Sequence, residues 1–258
     1  MTFRQYSIGT AYLVLLIYGG LIASLLYYLD PVQFMDAIRS QRALAAIGIS
    51  LVAATMATLL AVLIAIPAAF ALSRYVFRGR EIIDTLLELP IIVSPAALGA
   101  MLLIFFTNPL GDWLQTHTVQ FVFAFAGVVL AQFVTTVGIA TRFIKAAIDD
   151  VPSRYEAVGR TLGATPWQAF AALTVPLARK GIIAATVLTW AKAMGEFGAT
   201  ITLAGTMAMR TETLPIAIYM RLASADIEGT VVLIFVMLAI GLGTLYGVRM
   251  LGTRDQRA

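Results

Sequence analysis

The chain has 258 residues, of which 60% are hydrophobic and 12% are charged, and its formal net charge is +4. A soluble domain carries about 25% charged residues, so this composition excludes an ordinary soluble protein and indicates an integral membrane protein. Cysteine is absent from the sequence, which excludes disulfides, thiolate metal sites and cysteine nucleophiles.

Six largely uncharged runs are long enough to cross a bilayer, which takes about 20 apolar residues. They are residues 8–29, 43–72, 89–106, 119–141, 181–209 and 229–248. Most of the 18 lysine and arginine residues lie in the segments on the side of the N-terminus. Because positively charged loops stay inside, both termini are predicted to be cytoplasmic, and the charge requires no nucleic-acid partner.

We therefore predict an all-α integral membrane protein with six transmembrane helices. Residues 1–42 form a first helix and an outer loop, residues 43–251 form the main transmembrane domain, and residues 252–258 form a cytoplasmic tail. The first run is longer than the core of a secretory signal, about 7–15 residues, so we expect it to be a retained span. The outer loops are too short to fold as a separate ligand-binding domain.

The third run opens with two prolines, Pro90 and Pro95. Proline removes a backbone donor and clashes with the preceding helical turn. The third span is therefore predicted to break or kink near its inner half.

The longest inner loop holds a polar stretch, residues 149–176, that is predicted to form two short helices joined by a sharp turn. Ser153 and Glu156 have the spacing of a capping box. Gly163 supplies a left-handed residue that ends the first helix. Thr165 is the predicted N-cap of the second helix, with Gln168 as its reciprocal cap. We call this stretch the elbow.

Each elbow helix is predicted to present an apolar face. These faces comprise Tyr155, Val158 and Leu162 on the first helix and Trp167, Phe170 and Ala171 on the second. An apolar surface held outside the bilayer favours a docking element, although a loop packed on its own bundle is the alternative.

The fifth run contains two ionisable residues, Lys192 and Glu196, which are four apart and so share a helix face. Either they neutralise each other in a helix contact or they form part of a gate. Gly195 and Gly198 bracket Glu196 and Phe197 and favour a bend. Thr200 and Thr202 are candidates for transient contacts with an anion.

The sequence contains no constellation typical of an enzyme. It has no phosphate-binding G-x-x-x-x-G-K-[ST] motif and no evident Ser-His-Asp set, and the one histidine, His117, is predicted to be an ordinary loop residue. We expect no catalytic residue, cofactor or metal ion. The lack of a persuasive internal repeat argues against a secondary transporter built from two inverted halves.

Three stretches resemble one family, the permease subunits of type I ABC importers. The first stretch is similar to the EAA loop of that family: it has Glu156 and Ala157, the later Gly163 and an ending at residues 173–176. Val158 replaces the usual second alanine, and Glu156 lies one residue further from Gly163 than in sugar permeases. Residues 89–95 resemble the proline-rich opening of the third span. Residues 195–202, with 210–215, resemble the fifth span of molybdate permeases.

The resemblance implies a permease subunit for a tetrahedral oxyanion, molybdate or tungstate first and sulfate second. It implies a cell inner membrane protein that works with a second copy of itself, two cytoplasmic ATPase subunits and an extracytoplasmic binding protein. The implied ATPase-coupling residues are Arg154, Tyr155, Glu156, Ala157, Val158, Arg160, Leu162, Gly163, Ala164, Thr165, Pro166, Trp167, Phe170 and Pro176. The implied pathway or gate residues are Pro90, Pro95, Lys192, Gly195, Glu196, Phe197, Gly198, Thr200 and Thr202.

Other functions remain open at this point. Methionine or phosphate import is the alternative within the same family. A proton- or sodium-coupled transporter that uses Lys192 and Glu196 is the alternative from another class, and an intramembrane enzyme is the third.

Overall fold

The computed structural model of the chain describes residues 3–29 and 31–254, and this part contains helices and no strands. Of the predicted tail, residues 252–254 continue the last helix, and the remaining four residues lie outside the described part. Five helices are long and apolar enough to cross a membrane, and the number is six if one bent helix pair counts as a single span. The predicted six spans thus correspond to five long helices and one bent helix pair.

The first half of the chain begins with α1 (Phe3–Leu25), a short 3₁₀ turn (Leu26–Tyr28) and α2 (Pro31–Arg39). The longest helix, α3 (Gln41–Arg74), starts after Ser40, whose hydroxyl accepts from the amide of Ala43 at 3.2 Å. This bond satisfies one of the free amides at the helix start.

The third span consists of α4 (Arg80–Leu86), α5 (Leu89–Ile92) and α6 (Pro95–Thr107). The segments before and after the break are bent by 112°. Val93 is extended, and the Ser94 hydroxyl accepts from the amide of Ala97, with Pro95 opening α6. The break is therefore confirmed and lies at Pro95, while Pro90 lies inside the short helix α5 without ending it.

Two helices complete the outer loop and the fourth span, α7 (Pro109–His117) and α8 (Phe125–Asp149). His117 is exposed and its ring stacks on Trp113. The elbow contains α9 (Arg154–Thr161), α10 (Pro166–Ala169) and a π-helical turn (Phe170–Thr174) that leads into α11 (Val175–Met194).

The last elements are α12 (Gly198–Ala204), α13 (Leu214–Ala223) and α14 (Ile227–Arg254). The predicted outer loop of residues 210–228 contains α13, and residues 211–217 are buried. The loop is held by Glu212, which is 1% exposed and accepts from Nε and Nη2 of Arg42 at 2.8 and 2.7 Å. A two-bond arginine–carboxylate pair fixes orientation as well as distance.

The core lies where α3 meets α8 and α11. Small residues recur on the buried face of α3 every three or four positions, among them Ala57, Ala61, Ala65 and Ala69. Small side chains let helix backbones approach closely, which drives helix association within a membrane. One buried cluster joins the C-terminal halves of α3 and α8 to α11: Ala61, Ala65, Ala69, Ala140, Ile144, Ile148 and Ala185.

Helix α1 differs from the other spans because none of its residues is buried against the described chain. Its side chains are largely exposed along the full length of the helix, including Leu16 at 70% and Tyr18 at 66%. The remaining spans form the bundle, and α1 lies outside it.

Candidate functional site

The first elbow helix is not capped as the sequence predicted. Ser153 has helical backbone angles (φ −59°, ψ −16°) and makes no capping bond with its side chain. The carboxylate of Glu156 turns toward the bundle, where its Oε1 accepts from Nε of Arg74 at 2.9 Å and from Oγ1 of Thr174 at 2.8 Å. The predicted capping box at Ser153 is therefore wrong, because Arg74 and Thr174 bind the Glu156 carboxylate instead.

The turn and the second helix agree with the prediction. Gly163 has φ +91°, and a Cβ added there would meet nothing within 4 Å, so the backbone conformation and not space requires glycine. The Thr165 hydroxyl accepts from the amide of Gln168 at 3.2 Å, and Gln168 Oε1 accepts from the amide of Thr165 at 2.8 Å. Pro166 takes the first helical position. The second capping box is confirmed.

The elbow presents an apolar tip made of Leu162 and Trp167, whose exposed fractions are 84% and 71%. Tyr155 and Val158 are also exposed. Phe170 was expected on the same surface but is buried, with its ring 4.5 Å from that of Phe70. Phe170 therefore anchors the elbow to the bundle and is not part of its outer surface.

The other predicted coupling residues lie along the elbow, and Pro176 lies in the first turn of α11. Arg154, Ala157, Arg160, Gly163, Thr165, Pro166 and Pro176 are exposed, and Ala164 is half-buried. The guanidinium of Arg154 lies over the ring of Tyr155 at 5.6 Å from its centre. The exposed residues are accessible to a partner protein, and the docking of each one on an ATPase stays a prediction.

Arg74 is a functional candidate that the sequence reasoning missed. Beyond Glu156, its guanidinium donates from Nη1 to Ser73 Oγ at 3.1 Å and from Nη2 to the carbonyl oxygens of Ile148 and Val151 at 3.1 and 2.6 Å. The sequence offered one signal, an arginine at the inner end of an apolar run, which also fits an ordinary charged flank.

The fifth span is interrupted where the glycines predicted a bend. Helix α11 ends at Met194 and α12 begins at Gly198. Lys192 Nζ donates to Glu196 Oε2 at 3.0 Å, and Glu196 Oε1 accepts from the amide of Ala199 at 3.1 Å. Glu196 therefore forms an ion pair with Lys192, whose side chain stays 43% exposed, and it also caps the second half of the span.

The two broken spans touch each other at their breaks, a contact that the sequence could not predict. A Cβ added to Gly198 would lie 2.9 Å from the amide nitrogen of Ala96 and 3.1 Å from Cβ of Pro95. A Cβ added to Gly99 would lie 2.8 Å from the backbone of Ala199. These glycines allow the backbones of α6 and α12 to pack directly against each other.

The remaining gate candidates are divided between surface and interior. Gly195 is exposed and Phe197 is half-buried, with its ring 5.1 Å from that of Tyr219. Thr202 donates to the carbonyl of Gly198 at 2.8 Å. Thr200 is buried, and its hydroxyl has no partner among the described residues. In this conformation neither threonine offers the open contact that was expected.

Two further buried polar residues, Thr58 and Gln132, were not anticipated. Thr58 Oγ1 and both polar atoms of the Gln132 amide have no hydrogen-bond partner within the described part of the chain. An unpaired buried polar group costs about 1–3 kcal/mol. Such groups inside an apolar run carry no local sequence pattern that would reveal their burial.

Comparison with known proteins gives consistent matches over most of the chain. The model of a family described as "Binding-protein-dependent transport system inner membrane component" matches residues 61–254. A probable molybdenum ABC transporter permease protein of Haloferax volcanii is 35% identical over 252 residues, which cover 98% of this chain and 91% of the relative.

Relatives from Escherichia coli include one permease named for molybdenum and one named for sulfate. The molybdenum transport system permease protein ModB is 36% identical over 180 residues, covering 67% of this chain and 77% of the relative. The sulfate transport system permease protein CysT is 28% identical over 257 residues, covering 97% and 93%.

Among solved structures, a bacterial alginate ABC transporter in complex with an alginate pentasaccharide-bound periplasmic protein matches with a TM-score of 0.79. The identity is 16%, and the match covers 98% of this chain and 94% of the other. An amino acid ABC transporter solved with histidines matches with a TM-score of 0.60 at 14% identity, covering 86% and 96%. At these identities the likeness shows the fold, which is that of a type I ABC importer transmembrane domain.

Proposed function

The chain belongs to the family of inner membrane components of binding-protein-dependent transport systems, as a permease subunit of an ABC importer, and we propose that it carries a tetrahedral oxyanion. Molybdate or tungstate is the first choice and sulfate the second. The order rests on relatives named for molybdenum at 35% and 36% identity, against 28% and 31% for relatives named for sulfate.

The observation that carries the oxyanion proposal is the exposure of Lys192 within a span. Its side chain is 43% exposed, and it lies about 18 Å along the helix axis from Lys180 near the inner end of α11. A charged side chain facing lipid at such a depth costs about 3 kcal/mol. This cost favours a water-filled pathway or a second chain, rather than lipid, beside Lys192, and an ammonium group there would attract an anion.

The elbow supports the proposed coupling to ATP. Its apolar tip lies between α8 and α11, in the loop predicted to be cytoplasmic, and the exposed Leu162 and Trp167 would insert into a cleft of an ATPase subunit. Trp in particular is enriched among the residues that dominate protein interfaces. We propose that two ATPase subunits dock on two copies of the chain, one elbow each.

A separate binding protein would deliver the anion from outside. The short outer segments leave no room for a delivery domain, and the solved alginate transporter was captured with a periplasmic protein. In the proposed orientation both termini lie in the cytoplasm.

Reconstitution in vesicles tests the cargo. The permease, its ATPase and binding proteins loaded with molybdate, tungstate or sulfate are combined, and ATP hydrolysis and anion uptake are measured together. We expect the molybdate- or tungstate-loaded protein to stimulate both rates most. Stimulation by the sulfate-loaded protein alone would assign sulfate instead.

The ion-coupled alternative makes the opposite prediction in the same vesicles. Uptake that survives ATP depletion and collapses with an ionophore would contradict the proposed ATP-driven uptake. The Lys192–Glu196 ion pair is the reason for making this test, because an ion-coupled transporter would use such a pair.

A further inference from the structure

The inner end of α3 carries a guanidinium, that of Arg74, which binds both α9 and the end of α8 with the turn that follows it. Arg74 is the last residue of α3. It donates to Glu156 in the first turn of α9, to the carbonyl of Ile148 near the end of α8 and to the carbonyl of Val151 in the turn after that helix. Glu156 in turn accepts from Thr174, the residue directly before α11. Four elements therefore meet at one arginine–carboxylate pair.

This pair is shielded from water. The side chains of Arg74 and Glu156 are 12% and 15% exposed. Hydrogen bonds between ionised groups are shorter and about twice as strong as neutral ones, and partial burial reduces their screening by salt. The planar guanidinium holds its acceptors in fixed directions, which a lysine ammonium cannot do.

Helix α9 makes a close apolar contact within the elbow, where a Cβ added to Gly159 would lie 2.7 Å from Cδ1 of Leu173, but this contact does not fasten it to the spans. None of its eight residues is buried. The chain enters α9 through the turn at residues 150–153 and leaves it through the left-handed Gly163. Phe170 anchors the second half of the elbow on Phe70, but it lies beyond Gly163. The ion pair with Arg74 is therefore the main fastening of the first elbow helix to the spans.

We propose that Arg74 is a positioning residue that fixes the elbow rigidly to the inner ends of α3 and α8, so that a displacement of the elbow moves those spans. The consequence for transport rests on the proposed docking of the elbow to an ATPase. The rigid connection itself concerns this chain alone and can be tested without cargo or partner.

The connection is tested by distance measurement in the purified chain. Because the sequence has no cysteine, spin labels can be placed at two introduced cysteines, Leu63→Cys on α3 and Leu162→Cys on the elbow, both largely exposed in the native chain. We expect a narrow distance distribution in the otherwise native chain and a broad one after Arg74→Gln. Glu156→Ala is expected to give the same broadening, and Arg74→Lys an intermediate width.

The matched control is Arg78→Gln, which removes the same charge from an exposed residue four positions later. It is expected to leave the distribution narrow. Distributions that stay narrow in both the Arg74→Gln and Glu156→Ala chains would overturn the proposal. A broad distribution in the Arg78→Gln chain as well would also overturn it, since charge and not position would then be responsible.

The consequence is tested in the assembled complex by the ratio of anions transported to ATP hydrolysed. For Arg74→Gln we expect this ratio to fall about tenfold, with partial rescue by Arg74→Lys, while the bound ATPase still hydrolyses ATP. A parallel loss of hydrolysis, transport and thermal stability, with an unchanged ratio, would indicate a merely structural role and overturn the positioning role. If the unsubstituted complex takes up no oxyanion at all, the proposed cargo fails, whereas the distance measurement still decides the connection.

Discussion

Lys192 is the exposed member of an ion pair whose other member, Glu196, is 1% exposed. The two residues are held very differently. Glu196 is fixed by two bonds, one to Lys192 and one to the amide of Ala199 that starts α12. Lys192 has three donors on a flexible stem. Under the proposed function, an anion would share the ammonium without displacing Glu196 from the helix that it caps.

We predict that Lys192→Gln lowers anion uptake about tenfold. The substitution removes one charge-assisted contact, and a loss of about 1.4 kcal/mol corresponds to a factor of about ten. Uptake of radiolabelled molybdate by reconstituted vesicles measures the change. Lys192→Arg, which keeps the charge, is expected to retain most of the uptake.

Lys180→Gln serves as the control, because this exposed lysine lies near the inner end of the same helix. Its uptake is expected to stay close to that of the native chain. Equal losses for Lys180→Gln and Lys192→Gln would show that helix charge in general, and not the position of Lys192, is responsible.

At the level of elements, the contact between the two broken spans depends on a glycine on each side, Gly99 on α6 and Gly198 on α12. Gly198 allows α12 to approach the amide of Ala96, whereas a Cβ at Gly195 would have its nearest neighbours at 3.6 Å, an ordinary contact distance. We predict that Gly198→Ala lowers stability by about 1–3 kcal/mol through overpacking and reduces transport, while Gly195→Ala is tolerated. Thermal unfolding of the two purified variants in the same detergent compares them, and equal unfolding temperatures would contradict the prediction.

The elbow offers a second matched pair, an exposed aromatic residue and a buried one. We predict that Trp167→Ala weakens ATPase binding by about 2 kcal/mol or more, as for a central interface residue, while the stability of the chain stays within about 0.5 kcal/mol. Phe170→Ala is expected to do the reverse and lower stability by about 3–5 kcal/mol, because its side chain is buried against Phe70. Co-purification of the ATPase and thermal unfolding are measured on both variants. Undiminished binding by Trp167→Ala would contradict the docking of the elbow tip.

At the scale of the whole molecule, the sequence predicted those features that depend on neighbouring residues. The left-handed Gly163, the capping box at Thr165 and the break at Pro95 each follow from local chemistry and are confirmed. The capping box at Ser153 failed because Arg74, 82 residues away from Glu156, takes the carboxylate. The inward turn of Phe170 also depends on a distant partner. Contacts of this kind are set by tertiary packing and leave no local pattern.

The exposure of α1 predicts a partner chain. This helix is long enough to cross a membrane, yet none of its residues is buried against the described chain. An apolar groove of about 330 Å³ between α3 and α8 is lined by Leu60 and Phe133, among others. Each chain has one elbow, and we have proposed that two copies work together. We predict that α1 of one copy packs against this groove of the second copy. The two exposed apolar surfaces would then cover each other, as closed two-fold assemblies allow.

Cysteine pairs measure this packing directly in a chain that has no cysteine of its own. Leu60→Cys is combined in turn with a cysteine at each of the four successive positions 13–16 of α1, and the covalent dimer is quantified after mild oxidation. Because successive helical residues point about 100° apart, we expect one or two of the four pairs to react strongly and the others weakly. Equal reaction at all four positions would indicate random collision, and no reaction at any of them would place α1 elsewhere, so either outcome would contradict the predicted contact.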